Sequence, residues 1–235
     1  MAKEQPSGEE VVRLMREEQG PRTMLAFSRG KDALAAYLAL RDSFEEVVPF
    51  HLDLVPGLSF VEESIAYYEQ AFGRRIIRLP HPSFYRMLNN LSFQPPAQAT
   101  VIAAAGLPNF DYPDVYEIVR GIEGLPPKVM AATGVRAVDS PMRMLAMKTH
   151  GPISRGRQQY YPVWDWKKDR LLAEIEKSGI GLPVDYDLFG RTFDGLDLRF
   201  LYPLKHKRPD DYRRILEWFP LADMEVWRYE RMRAA

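Results

Sequence analysis

Short apolar runs alternate with amphipathic segments through the first third of the chain. Thr23–Phe27 forms a buried-type run that ends at Ser28, Arg29 and Gly30. From Lys31 to Arg41, Leu34, Tyr37, Leu38 and Ala39 recur at the spacing of one helix face. A short helix over 11–18 precedes this pair. Val47–Leu52 predicts a second strand, with Pro49 expected near its start because proline cannot donate to a ladder. Ser59 opens a helix to Phe72, and Glu62 stands at the capping-box distance from it. Arg75–Leu79 predicts a third strand. Strand, helix, strand, helix, strand is the order of a parallel sheet covered by right-handed crossovers.

The later pattern is weaker. Strands are expected at 129–132 and 160–163, and helices near 141–148, 167–178, 209–218 and 221–232. Between residues 80 and 127 six prolines (95, 96, 108, 113, 126 and 127) break the periodicity, which predicts a peripheral insertion of short helices and loops. The fold expectation is therefore an α/β domain with an open, mostly parallel twisted sheet flanked by helices. It divides into an N-terminal helical extension (1–20), the main domain (21–200, with the insertion at about 80–127) and a C-terminal helical segment (201–235).

Composition narrows the chemistry. The 235 residues include 32 basic and 32 acidic side chains, so bulk charge does not hold this chain to a nucleic acid. No cysteine is present, which excludes thiolate metal sites, iron–sulfur ligation and any mechanism through its own thiol. Four scattered histidines give no HExxH-type motif and no metal ligand set. The charged start lacks the apolar core of a signal peptide, and no run approaches the ~18 apolar residues of a membrane span, so a cytoplasmic protein with no membrane partner is expected.

The turn Phe27–Asp32 joins the first strand to its helix, where backbone N–H groups and the helix dipole favour an anion. Gly30 permits close approach or positive φ, Ser28 offers a hydroxyl and Lys31 a full charge. Asp32 either caps the helix or helps hold a divalent ion. The spacing fits neither GxGxxG nor the Walker lysine motif, and an ordinary strand–helix turn explains it equally well.

Four stretches in order carry a resemblance. Ala26–Leu34 resembles the S-G-G-x-D-S pyrophosphate loop of the PP-loop ATP pyrophosphatases and phosphoadenosine phosphosulfate (PAPS) reductases, the adenine nucleotide alpha hydrolase-like proteins. His51–Glu62 is similar to their H-x-D-T-G-x-x-F-P-E segment, and Thr133–Arg143 to T-G-x-R-x-x-E-S-x-x-R. Tyr161–Trp166 is similar to P-[IL]-x-x-W before a charged helix. The resemblance implies an adenine nucleotide, ATP or PAPS, held by Ser28, Arg29, Gly30, Lys31, Asp32, Gly134, Arg136 and Arg143. It implies catalytic roles for Lys31, Asp32 and Asp53, and a magnesium ion on the phosphates. The chain departs from the family at Arg29, where glycine is usual, at Ala33, where a hydroxyl residue is usual, and at Leu54–Val55, which replace threonine. Without cysteine it cannot reduce PAPS as the reductases do.

Each of these residues also has a plain structural reading. Arg136 and Arg143 offer forked donors for phosphate, or pair with Asp139 on the surface. Asp53 contacts a ribose, a metal ion or a second substrate at the sheet's carboxyl edge, or shapes the turn before Pro56 and Gly57. His51, two residues earlier, is expected to be a satisfied core histidine. Residues 150–161, with Arg155 and Arg157, form either a solvated loop or an arm over a polyanion, and Lys205–Arg208 is too short to diagnose nucleic acid. Three functions follow: an ATP α–β pyrophosphatase that adenylates a nucleic-acid or protein-borne acceptor, a catalytically silent nucleotide-binding subunit, and a nucleic-acid-binding accessory protein. Self-association is compatible with any of them.

Overall fold

A computed structural model describes residues 5–234. In chain order the elements are α1 (Gly8–Gln19), β1 (Arg22–Ala26), α2 (Lys31–Arg41), β2 (Glu46–Asp53), α3 (Ser59–Phe72), β3 (Ile77–Pro80), α4 (Pro82–Asn89), α5 (Ala99–Ala105) and α6 (Tyr112–Glu123). They continue as β4 (Ala131–Ala132), α7 (Pro141–His150), β5 (Ile153–Ser154), β6 (Gln159–Tyr160), α8 (Lys168–Ser178), α9 (Asp185–Phe189), α10 (Leu198–Lys207), α11 (Pro209–Trp218) and α12 (Asp223–Ala234). The six strands form one sheet in the order β3-β2-β1-β4-β6-β5. β1 pairs in parallel with β2 and with β4, β4 pairs in parallel with β6, and β5 closes the edge antiparallel to β6. The expected open, mostly parallel α/β sheet is present. The first three strands build outward on one side of β1 and the later ones on the other, so the topological switch point lies between β1 and β4. Open α/β sheets bind ligands beyond the carboxyl ends of the strands at that point.

The chain divides into two compact units. The first comprises residues 1–51, 71–79 and 112–182, and the second residues 52–70, 80–111 and 183–235. In the first unit β1 is buried through Met24 and Leu25, and α2 turns Leu34, Ala35 and Leu38 inward. Tyr37 stacks on Phe72 at 3.7 Å between ring centroids. At the amino ends of the strands, Arg22 and Arg74 share the carboxylates of Glu46 and Glu123. Burial opposes the charge of Glu46, but hydrogen bonds from Arg74 and Arg22 prevail and hold its carboxyl below the usual range.

Three sequence expectations need correction. Pro49 lies in the middle of β2, in register with Leu25, and not near the strand start. β2 is eight residues long against the four of its neighbour β3, and Pro49 withholds one donor within it. The strand expected over 160–163 shrinks to Gln159–Tyr160, because Pro162 cannot donate. Residues 80–127 are also not one loose insertion. The stretch 80–111 packs in the second unit, whereas α6 buries Val115, Tyr116 and Val119 in the first. Of the prolines read as breakers, Pro113 instead stands in the first turn of α6, as Pro82, Pro141 and Pro209 do in α4, α7 and α11.

In the second unit, Asp211 of α11 accepts the Ser59 hydroxyl at 2.7 Å and its backbone N–H. The capping box expected from Ser59 and Glu62 therefore gives way to a cap supplied by another helix. Phe60, Phe189, Phe193 and Phe200 meet edge to face at centroid distances of 5.2–5.7 Å along four of their contacts. Helix α10, not foreseen, carries Pro203 in its interior and is held by the burial of Phe200, Leu201 and Leu204.

His81 is the N-cap of α4, and its Nδ1 accepts the Ser83 N–H at 2.9 Å. Burial, aided by the Arg86 charge, lowers its pKa below 6.5. A protonated Nδ1 cannot accept, so the cap is complete above the unfolded value and weakens as pH falls from 6.5 toward the folded value. His81→Asn, which caps without titrating, should remove this dependence. Between pH 7.5 and 5.5 the wild type should lose about 1 kcal/mol, or ~2–4 °C in Tm, relative to the variant. A Tm difference that does not change with pH would refute the assignment.

Candidate nucleotide-binding site

The two central strands determine what meets at their carboxyl edge. Parallel pairing sets Met24 opposite Ala131 and Leu25 opposite Ala132. The chain leaving β1 as Phe27–Gly30 and the chain leaving β4 as Thr133–Arg136 therefore emerge side by side. The first turn is pinned from β2: Phe27 donates its N–H to Phe50 O at 2.7 Å, and Nδ1 of buried His51 lies 2.9 Å from Phe27 O. His51 is thus engaged in shaping the loop, as the plain reading expected.

Arg29 has φ of +67°, in the left-handed region that glycine enters without penalty. The backbone here takes a conformation that suits glycine although the residue is arginine. Its side chain is buried at 1% exposure and lies within the fold. Ser28 is exposed and Gly30 is the N-cap of α2, a residue with no side chain of its own to cap the helix. The amino end of this 11-residue helix is its anion-favouring end.

Gly134 seats against this turn. A Cβ placed on it would lie 2.3 Å from Asp32 O and 2.7 Å from Ala33 N, so no other residue permits the approach. The contact positions Arg136, whose side chain is only 6% exposed. Its Nε lies 2.8 Å from Asp32 Oδ1 as an ion pair without hydrogen-bond alignment, and its Nη2 donates to Asp139 Oδ1 at 2.8 Å. Its Nη1 reaches Trp166 O at 3.4 Å. Lys31 Nζ donates to Asp32 Oδ2 at 2.7 Å, and Arg143 Nη1 donates to Asp139 Oδ2 at 3.0 Å. The result is an alternating chain, Lys31–Asp32–Arg136–Asp139–Arg143, with three cations and two carboxylates. Arg136 is the buried centre of this chain, and Arg143 is its half-exposed end.

Asp32 Oδ1, Arg136 Nε and Thr133 Oγ1 are among the buried polar atoms that make no hydrogen bond. The first two face each other as the misaligned ion pair, whereas the Thr133 hydroxyl has no hydrogen-bond partner among the described residues. Burying such a group costs about 1–3 kcal/mol, so the residue before Gly134 is a spot suited to receiving a polar atom. Thr133 is the threonine that opens the motif after β4, but that its hydroxyl is buried without a hydrogen bond becomes visible only in three dimensions. Asp53 ends β2, and its carbonyl accepts the His81 N–H at 2.9 Å. Among the described residues no group of three His, Asp or Glu side chains is placed to hold a metal ion. Asp32 and Asp139 are already matched by cations, so these residues do not fit a protein-held magnesium.

The other basic segments are largely engaged. Arg155 pairs with Glu18 at 2.8 Å, Lys205 with Glu230 at 2.7 Å and Arg208 with Glu63 at 2.7 Å. Among the described residues no helix is long and apolar enough to cross a membrane.

No protein-family model and no curated protein matches this chain. Among solved structures it is similar to the PAPS reductase from Candida auris in its phosphate complex, at 12% identity over 81% of this chain and 88% of that one, with a TM-score of 0.49. It is also similar to the U34-tRNA thiolase NcsA from Methanococcus maripaludis with its 4Fe–4S cluster, at 13% identity over 92% and 79%, with a TM-score of 0.44. At these values no residue correspondence follows. A chain without cysteine has no thiolate with which to hold such a cluster.

Gly134→Ala should force its Cβ into the α2 backbone, which cannot move aside as a side-chain tip can. Urea denaturation should show a loss of about 1–3 kcal/mol, the usual cost of overpacking. An unchanged midpoint would mean that the two segments do not touch as described.

Proposed function

We propose that the chain binds the polyphosphate of an adenine nucleotide at the amino end of α2 and transfers the adenylyl group of ATP to an acceptor. The observation that carries this reading is the seating of Gly134 and Arg136 on the first turn of α2. It brings backbone donors, Lys31 and Arg143 to one place, next to an unsatisfied threonine hydroxyl. In this reading Gly30 and Lys31 cradle the leaving pyrophosphate through backbone N–H groups and one ammonium, so catalysis is chiefly electrostatic. Ser28 adds a solvent-facing hydroxyl.

The two arginines take different roles. Arg136 is buried and committed to two carboxylates, so it is a positioning residue that orients Asp32. Arg143, about half exposed, keeps donors turned to solvent and is the arginine suited to meet phosphate oxygens. Asp32 and Asp139 hold the three cations in place and leave the site with one net positive charge. ATP brings any divalent ion on its own phosphates, since the protein offers no carboxylate set for one among the described residues. The acceptor, a nucleic acid or a group carried by a partner protein, supplies the nucleophile, and Asp53 at the end of β2 is a residue to test for it. A second reading is favoured by Ala33, which lacks the hydroxyl of the resembling loop: the chain binds nucleotide without turning it over.

Isothermal titration should detect ATP binding. Arg143→Ala should weaken it about 10- to 100-fold, the worth of one charge-assisted contact. The double variant Lys31→Ala/Arg136→Ala should abolish it, and unchanged affinity there would remove the proposal. Pyrophosphate release with candidate acceptors then separates the two readings, since the silent subunit stays at background while still binding.

A further inference from the structure

β4 is two residues long, so the chain that carries Arg136 draws little support from the sheet. Its backbone is held instead by the stretch 160–166. Thr133 donates its N–H to Tyr160 O at 3.0 Å, and Ala137 donates to Trp164 O at 2.7 Å. The Arg136 guanidinium reaches Trp166 O at 3.4 Å, besides the carboxylates of Asp32 and Asp139. Val135, Met144 and Trp164 pack on the buried group of Ala137, Met147 and Tyr161. Residues 160–166 are thus the rail on which the Arg136 turn is mounted.

That rail is fastened in turn by residues 5–8. Trp164 Nε1 donates to Pro6 O at 3.0 Å, and Gly8 donates its N–H to Asp165 Oδ2 at 3.1 Å. Gln5 Nε2 donates to Lys148 O at 3.2 Å, which ties the same segment to the end of α7. Gly8 lies directly on the rail: a Cβ there would stand 2.3 Å from Pro162 O and 2.8 Å from Asp165 Oδ1. The first of these atoms is backbone and cannot swing aside. The segment itself is stiff. Pro6 fixes one φ, Ser7 and Glu10 close a capping box, and fully buried Val11 and Met15 anchor the helix that follows.

We infer that residues 5–8 are a strap that positions the candidate site, with Trp164 and Asp165 as positioning residues that pass its hold to Arg136. They act at one remove: the strap sets the rail, the rail sets the Arg136 turn, and Arg136 sets Asp32 and Asp139. A displaced strap therefore disturbs the charge chain from Lys31 to Arg143 without altering any of its members. The effect on the turn follows from these contacts alone, whereas the effect on nucleotide rests on the adenine-nucleotide reading proposed above.

Two variants of the full chain test the strap: Gly8→Ala sets a methyl against Pro162 O, and Asp165→Ala removes the acceptor of the Gly8 N–H. Without nucleotide, hydrogen exchange read by mass spectrometry should quicken at least about tenfold in peptides covering 133–144, while β1 and β2 keep their protection. Asp165→Asn keeps an acceptor oxygen and should restore the wild-type exchange. In titrations with ATP, Gly8→Ala and Asp165→Ala should weaken binding about 3- to 30-fold, and Asp165→Asn should not. Wild-type exchange in both variants would overturn the proposal, as would an equal rise across the whole first unit or no recovery with Asp165→Asn. Faster local exchange with ATP affinity unchanged, where Arg143→Ala does weaken it, would overturn it too. If the wild-type chain binds no ATP, the nucleotide reading falls, and the exchange experiment alone decides the strap.

Discussion

The site depends on a single close packing, that of Gly134 against the Asp32 carbonyl. Nothing larger than hydrogen fits between these backbones, and everything polar at the carboxyl edge of the two central strands is arranged around that contact. It fixes where the chain after β4 turns, and hence where the guanidinium of Arg136 lies. Arg136 then holds the carboxylates of two segments distant in sequence, Asp32 from the loop after β1 and Asp139 from the turn before α7. A lysine could not replace it, because an ammonium cannot reach three directions from a planar fork.

Burial makes this chain of charges more than surface decoration. Exposed ion pairs contribute about 0–1 kcal/mol, whereas a guanidinium as enclosed as that of Arg136 would be strongly unfavourable without its carboxylates. The same enclosure limits what Arg136 can do for a ligand. Its donors are spent within the protein, whereas the guanidinium of Arg143 is half exposed. Arg29 follows a related logic: its side chain lies inside the fold and its backbone occupies a region costing roughly 1–2 kcal/mol for a residue with a Cβ. The loop retains its shape through tertiary contacts from β2, namely the Phe50 carbonyl and the His51 ring.

Much of the framework was legible from apolar periodicity alone. β1, α2, β2 and α3 fall where the pattern places them, because those segments bury one consistent face and end at turn residues. The motif after β4 was legible as residues but not as geometry. Sequence spacing could not show that Gly134 abuts α2, or that Arg136 is enclosed while Arg143 is not, since both depend on which strands are neighbours. The misplaced prolines share a cause. Pro49, Pro113 and Pro162 look alike in sequence, yet Pro49 sits in a strand, Pro113 opens a helix and Pro162 follows the end of a strand. Local preference does not distinguish a proline that begins a helix from one that forbids it; the surrounding packing does. Helix α10 tolerates Pro203 for the same reason, with three buried side chains outweighing one lost hydrogen bond.

The missing cysteine constrains the chemistry from the opposite direction. A phosphate-seeking helix end can bind and polarise, but by itself it supplies no nucleophile and no electrons. Around the amino end of α2 the described residues offer backbone N–H groups, an ammonium, two guanidinium groups, two carboxylates and hydroxyls. In the proposed reading these groups stabilise a leaving pyrophosphate by fixed charge, and the attacking group comes with the acceptor.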